Sequence, residues 1–326
     1  MSRSILNDAH FHDEQAAYAY VEAHVWPNGR VCPHCGTVDN SGALKGQTTR
    51  IGLYKCYACR KPFTVKIGTI FEASHIKLHI WLQAIFLLSS SKKGISTNQL
   101  HRTLGVTLKS AWFLSHRIRE AMASKGQLPP MGGAGQTVEM DETYIGKKAN
   151  SDLRWDGTPY KKQGGKRGPA GKRVVVALVE RGGSVRSFHV ARADKQTIAG
   201  IVVQNVARES RLLTDESRLY RGADAHVAEH DSVNHYSKEW VRGDVHTNTI
   251  EGCFSVFKRG MRGTYQHCAE KHLHRYLAEF DFRYNNRVAV GVDDATRAGK
   301  MLKGVVGKRL TYQTTKGRKD AEEAKA

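Results

Sequence analysis

Apolar residues recur at two different spacings along this chain, and the change from one to the other divides it. Residues 76–88 are almost continuously apolar over a helical length, then give way to Ser89-Ser90-Ser91-Lys92-Lys93-Gly94, a turn-rich break. Ser96 stands as an N-cap with Gln99 at the third helical position, the reciprocal arrangement that satisfies two free amides. The helix Thr97–Leu104 sets Leu100 and Leu104 on one face and stops at Gly105, which suits a left-handed C-terminal cap. Thr107 opens a second helix that runs to about Met122. Leu108, Ala111, Trp112, Leu114, Ser115 and Ile118 mark its buried face, and Lys109, His116, Arg117 and Arg119 are expected largely off it. A short helix, a turn containing glycine and a basic second helix make a helix-turn-helix pattern, which DNA-binding modules share with plain α-bundles.

The segment Leu128-Pro129-Pro130-Met131-Gly132-Gly133-Ala134-Gly135 has linker composition, and beyond it the period falls to two. Residues 136–141 alternate and end on Asp141, with 143–145 continuing the strand. Residues 173–180 read as a buried strand, Gly182-Gly183 as a hairpin turn, and 185–190 as the returning partner. An amphipathic helix over 194–207, a short strand over 211–215 and a helix over 248–261 follow. Three strands, helix, strand, helix is the order of a ribonuclease-H-like domain.

Composition narrows the partner. The 326 residues carry 51 Lys+Arg against 31 Asp+Glu, a formal net charge of +20. Such an excess points to a polyanion, with nucleic acid first, but identifies no mechanism. The charge is uneven: residues 147–173 hold nine Lys/Arg against two acids, and 297–326 hold nine against three. Both stretches are rich in Gly, Lys and Arg, and both are expected to be flexible and solvated. No run of apolar residues is long enough to span a membrane, and the amino terminus lacks the apolar core of a signal peptide. The expectation is an intracellular, cytoplasmic protein with no membrane partner.

Four of the six cysteines fall as Cys32-Pro33-His34-Cys35 and Cys56-Tyr57-Ala58-Cys59, with twenty residues between the pairs. Two such knuckles complete a tetrahedral zinc site, and the short β-prone stretches at 51–54 and 62–66 give the layout of a zinc ribbon. A redox dithiol or two disulfides are the competing readings; two CxxC pairs in an intracellular chain favour structural zinc. His34 is redundant as a fifth donor. Cys253 and Cys268 have no ligand spacing and read as ordinary thiols. The fold expected is therefore a multidomain α+β/α/β chain. It comprises a zinc ribbon (15–72), a helix-turn-helix region (73–127), a linker (128–136), a ribonuclease-H-like catalytic domain (137–292) with a mixed sheet flanked by helices and a basic loop at 147–173, and a basic tail (293–326).

Asp141 and Asp215 both close strands, and Glu251 lies one turn into the late helix. Phosphoryl transfer uses two divalent ions about 3.5–4 Å apart, one for the attacking and one for the leaving oxygen. Three carboxylates from separate elements suit that task, because hard oxygen ligands favour magnesium or manganese. Each acid alone is equally a surface charge or a cap. Lys258 lies two helical turns beyond Glu251 on the same face, where it could hold a DNA phosphate. Glu142 in a strand faces away from Asp141, and it and Glu216 rank below the three.

The motifs Val138-Glu139-Met140-Asp141-Glu142-Thr143-Tyr144-Ile145-Gly146, Thr214-Asp215-Glu216, His246-Thr247-Asn248-Thr249-Ile250-Glu251-Gly252 and Lys258-Arg259-Gly260 resemble the DDE transposases of bacterial insertion sequences. The similarity is to the IS fifteen-ninety-five family, with its ISXO-like catalytic domain and amino-terminal zinc ribbon, and it extends over about 21–287. It implies Asp141, Asp215 and Glu251 as catalytic metal ligands, Lys258 as the trailing basic residue, and Asn248 as a rival third ligand. Ser217 and Phe254 stand where tryptophans are common in the family. The resemblance further implies binding of double-stranded DNA at element ends and target, 3′-end hydrolysis by water, and strand transfer by the freed 3′-hydroxyl. It also implies a homodimer or higher oligomer on DNA, working on the bacterial nucleoid. A DNA-binding regulator with an inactive catalytic domain, and a nuclease that cuts without joining, are the two alternatives.

Overall fold

The computed structural model describes residues 4–124, 126–146 and 171–311, so the basic loop over 147–170 and the end of the tail from 312 lie outside the described residues. The helices and strands are α1 (Glu14–Val25), β1 (Ser41–Ala43), β2 (Tyr54–Cys56), β3 (Pro62–Phe63), α2 (Leu78–Ser90), α3 (Thr97–Leu104), α4 (Leu108–Met122), β4 (Thr137–Ile145), β5 (Arg173–Glu180), β6 (Val185–Val190), α5 (Lys195–Asn205), β7 (Arg211–Asp215), β8 (Glu229–Val233), α6 (Asn248–Gly260), α7 (Leu273–Asn285) and α8 (Asp294–Lys303). They form two compact units, one from the chain up to 91, 95–123 and the segment from 294 on, the other from 92–94 and 124–293. Among the described residues no helix is long and apolar enough to cross a membrane.

In the first unit, β1, β2 and β3 make a small antiparallel sheet in that order. β2 starts and ends later than the β-prone stretch over 51–54, β3 takes up only the first two residues of that over 62–66, and β1 lies outside both. The helix caps follow the sequence chemistry. The Ser96 hydroxyl accepts from the Gln99 amide and the Thr107 hydroxyl from the Ser110 amide, both at 3.2 Å. Gly105 closes α3 at φ 65°, where a side chain would strain the backbone. α2 is the hub, packing against α1, α3, α4 and α8 with Trp81, Leu82, Ile85 and Leu88 buried.

Two expectations need correction here. His116, Arg117 and Arg119 are buried rather than turned outward, and only the first turn of α4, Thr107 to Lys109, stays exposed. For Arg117 the returning segment after the second unit is part of the cause. Arg117 donates through Nε to the Leu310 carbonyl at 3.0 Å and through Nη1 to the Glu72 carbonyl at 2.9 Å, and Arg119 reaches the Ser115 hydroxyl at 3.0 Å. The solvated tail expected from 293 is, over 294–303, the helix α8, with Met301 and Leu302 buried. Lys308 follows, its ammonium bonded to the carbonyls of Ala121 and Ala123 at the end of α4, a favourable place for a cation.

The second unit is a five-stranded mixed sheet in the order β6-β5-β4-β7-β8. β4 runs antiparallel to β5 from Val138↔Glu180 to Ile145↔Arg173, and parallel to β7 from Thr137↔Arg211 to Glu139↔Leu213. Gly182 turns the β5–β6 hairpin at φ 73°. The edge strand β8, parallel to β7, is an addition that its short polar sequence does not announce. Alternation gives the sheet two apolar faces. Val138, Met140, Val176, Leu178 and Leu212 pack with Ile198 and Val202 of α5. Val175, Ala177 and Val179 pack with Ile250, Phe254 and Phe257 of α6 and with Leu277 and Phe280 of α7. Helices on both faces of a mixed sheet make this a ribonuclease-H-like arrangement.

Candidate active site and metal centre

The four cysteines come together. Cys32 and Cys59 sulfurs lie 3.7 Å apart, as do those of Cys35 and Cys56, and all four ligand atoms fall within 4.8 Å of one another. Zinc–sulfur bonds of about 2.3 Å in a tetrahedron require sulfurs about 3.8 Å apart, so the cluster fits structural zinc. Without a metal the thiols share charge unevenly: the Thr37 hydroxyl and amide pull Cys35 down to about 6, and burial and the other three sulfurs push Cys59 up to about 11. Phe63, buried between the knuckles, and Trp26 and Tyr54 supply the ribbon's apolar support. Cys253 and Cys268 border the α6–α7 core, apart from this group.

The sheet sets out the acids. Odd-numbered residues of β4 face α6, so Glu139 and Asp141 share that side. On β7, Leu212 packs toward α5, which turns Leu213 and Asp215 the other way. The β4–β7 ladder stops at Glu139↔Leu213, and Asp141 and Asp215 each lie two residues beyond it, in register on adjacent parallel strands. Glu251 comes down from the first turn of α6 over that same face. Local bonds aim each carboxylate: Asp141 Oδ1 accepts from the Glu142 amide at 2.7 Å and Asp215 Oδ1 from the Ser217 amide at 3.0 Å. Glu251 Oε1 accepts from the Thr247 hydroxyl at 3.1 Å.

Asp141 feels its acidic neighbours. Burial, then Glu142 and Asp215, and more weakly Glu251, push the Asp141 carboxyl up to about 8. Burial and Glu216 likewise raise Asp215. A carboxyl raised in this way keeps its proton near neutral pH unless a cation takes the proton's place. Carboxylate oxygens are the donor type that magnesium and manganese prefer, but among the described residues it is the four cysteines whose ligand atoms gather within 4.8 Å of one another. Glu142 points to the opposite face, where the buried Tyr220 hydroxyl donates to it. Asn248, at the first position of α6, is exposed, and Lys258 is half-buried two turns beyond Glu251. Ser217 supplies the amide that holds Asp215, and Phe254 fills the core beneath α6 at 6% exposure.

Two neighbours of the site carry no local sequence signal. His235, on the loop after β8, brings Nε2 to 3.9 Å from Glu251 Oε1, and its amide donates to Glu216. Glu139, wholly buried two residues before Asp141, binds Arg181, Thr249 and the Ile250 amide. Its position on the same strand face as Asp141 was the one available clue.

Residues 132–285 match the family described as ISXO2-like transposase domain, and residues 12–62 match the transposase zinc-ribbon domain. The chain is 28% identical over 265 residues to an uncharacterized protein in transposable element ISH50 of Halobacterium salinarum, covering 79% of this chain and 86% of that protein. Among solved structures, a simian T-cell lymphotropic virus intasome in complex with the PP2A regulatory subunit B56 gamma aligns at 14% identity with a TM-score of 0.28. That alignment covers 56% of this chain and 63%, under two thirds, of the other.

Proposed function

We propose that this chain, which carries an ISXO2-like transposase domain and a transposase zinc-ribbon domain, cuts the ends of its insertion sequence and joins them to target DNA. The observation that supports this reading is that Asp141 and Asp215 lie just beyond the β4–β7 ladder, with Glu251 in the first turn of α6, and that Asp215 and Glu251 both bear on the charge of Asp141. We assign them as the ligands of two magnesium or manganese ions, with Glu251 preferred to Asn248 because its side chain is already held by Thr247. Two such ions, when bound, supply Lewis acidity at the attacking and leaving oxygens of an in-line displacement. Asp141 and Asp215, just beyond the β4–β7 ladder, would hold the ions against which the scissile phosphate is oriented. Lys258 holds a phosphate oxygen further along the strand. Water is the first nucleophile and the freed 3′-hydroxyl the second, and no covalent bond to the protein forms.

The same proposal divides the chain into ribbon (15–72), helix-turn-helix (73–127), linker (128–136), catalytic domain (137–292) and basic segment (293–326). The ribbon and the exposed first turn of α4 read the element ends. Two ends joined in one event require two active sites, hence a dimer or higher oligomer on the nucleoid DNA of the bacterial cytoplasm. The test offers a DNA end bearing the terminal repeats, a target plasmid and magnesium, and scores nicked and joined products. Asp141→Asn and Asp215→Asn should bind DNA as the parent does and yield neither product. Undiminished nicking by either variant removes the catalytic assignment; nicking without joining makes the protein a nuclease, and binding without either makes it a regulator.

A further inference from the structure

α6 begins with little capping of its own, a 3.4 Å bond from the Asn248 amide to His246 Nδ1. The Thr247 side chain makes no bond to the helix amides; its hydroxyl goes to Glu251 instead. The missing acceptor comes from another element. Glu139 of β4 takes the Ile250 amide on Oε2 at 2.9 Å, and the Thr249 hydroxyl on Oε1 at 2.8 Å. Arg181, in the β5–β6 turn, completes the carboxylate through Nε at 2.7 Å. Its Nη1 donates to the Asp244 carbonyl at 2.8 Å and its Nη2 to the His246 carbonyl at 3.0 Å, so the same guanidinium ties down the chain entering α6.

A local Ser or Asp cap would satisfy these amides equally well, but it would fix only the helix's own first turn. A carboxylate on β4 fixes the helix to the sheet. Glu139 is two residues from Asp141, and Ile250 is one from Glu251. One hydrogen bond therefore closes a path of adjacent residues between two acids that no strand pairing connects. A buried carboxylate is costly unless fully partnered, and here the partners are the helix start itself with its positive dipole end. The arrangement admits one depth and one rotation of α6.

We propose that Glu139, with Arg181, is a positioning residue that holds Glu251 opposite Asp141, and so sets the affinity of the carboxylate site for its divalent ions. This rests on the function proposed above for those carboxylates. The experiment uses the full-length, zinc-loaded protein and Mn2+ as probe, counting bound ion by electron paramagnetic resonance. In parallel it follows thermal unfolding, DNA affinity and nicking as a function of Mn2+ concentration. Glu139→Gln should lower Mn2+ affinity about tenfold while DNA affinity stays within about twofold, and excess Mn2+ should restore most of the nicking rate. Thr249→Val, which removes one donor and keeps the buried ion pair, should shift Mn2+ affinity in the same direction by about threefold, and serves if Glu139→Gln fails to fold. A lowered melting temperature with unchanged Mn2+ affinity in the folded variants makes Glu139 merely structural and overturns the proposal. A parent protein whose Mn2+ binding is insensitive to Asp141→Asn overturns the carboxylate assignment and this inference together. Sensitivity to Asp141→Asn without sensitivity to Glu139→Gln or Thr249→Val overturns this inference alone.

Discussion

Replacing Asp141 by asparagine removes a charge from the carboxylate cluster and leaves its shape. In the folded chain, burial and the nearby Glu142 and Asp215 hold the Asp141 carboxyl at about 8, against an ordinary 3.8. The folded state therefore keeps a proton that the unfolded chain releases. Below about pH 4 both states are protonated and no penalty exists; as pH rises from about 4 to about 8 the folded state loses stability, and above that the loss is complete. At about 1.4 kcal/mol per tenfold change in proton concentration, the ceiling is about 6 kcal/mol. Asp141 keeps some contact with water and shares the repulsion with Asp215, so about 2–3 kcal/mol is the working figure after screening.

An asparagine side chain cannot ionise and escapes that penalty. In buffer free of magnesium and manganese at pH 8.5, Asp141→Asn should melt higher than the parent by about 4–12 °C, from about 2–4 °C per kcal/mol for a unit of this size. At pH 5 the difference should shrink toward zero. Added magnesium should raise the parent's melting temperature and leave the variant's unchanged, because the ion supplies the missing positive charge only where a carboxylate binds it. Differential scanning calorimetry at the two pH values, with and without magnesium, measures all four conditions. A variant no more stable than the parent at pH 8.5, or equal stabilisation of both by magnesium, refutes the cation-site reasoning.

The remaining expectations concern other parts of the chain. Removing zinc with a chelator, or changing Cys32 to Ser, should unfold the ribbon, because a structural zinc contributes about 10–16 kcal/mol and the described apolar support there is small; circular dichroism on re-addition of zinc tests this, and a ribbon that stays folded without metal contradicts it. Lys308→Ala should destabilise the first unit by about 1–3 kcal/mol, since it strips the partner from the carbonyls at the end of α4; urea unfolding monitored at Trp81 and Trp112 gives the value. Neutralising Lys161, Lys162, Lys166 and Arg167, which lie outside the described residues, should weaken DNA binding and reduce its salt slope by about 0.9 for each phosphate no longer neutralised. Anisotropy titrations across a salt series decide that point, and an unchanged slope would mean the loop does not touch DNA.

How much of the fold and site was legible in the sequence follows from how local each cause is. The caps at Ser96 and Thr107 and the stop at Gly105 were readable because partners three residues apart create them. The cysteine cluster was readable because zinc geometry dictates ligand spacing. The placement of Asp141 and Asp215 on one face follows from alternation, once the two strands are paired. The burial of Arg117 was not readable, because part of what holds it is chain almost two hundred residues later. An Arg on a helix is ordinarily solvated, and nothing within a helical window reports a distant segment that returns. The same holds for Glu139. Its strand pattern puts it on the polar side, yet α6 closes over that side and leaves it wholly buried.

These non-local closures share a consequence. The first unit is built from both ends of the chain: α8 packs on α2, and Lys308 and the Leu310 carbonyl finish α4. A segment synthesised after the second unit cannot support α4 until that whole intervening unit has been made. The carboxylate site is likewise incomplete until α6, late in the chain, meets β4 through Glu139. The helical region proposed to bind DNA and the carboxylates proposed to cut it are thus both completed by carboxyl-terminal sequence, so a chain truncated after α5 should lack a finished form of either. For an enzyme proposed to cut DNA, that ordering withholds both binding and cleavage from incomplete chains. It also explains why strand alternation puts the acids on one face without reporting what holds them there: the clamp is a contact between β4 and a helix more than a hundred residues further on.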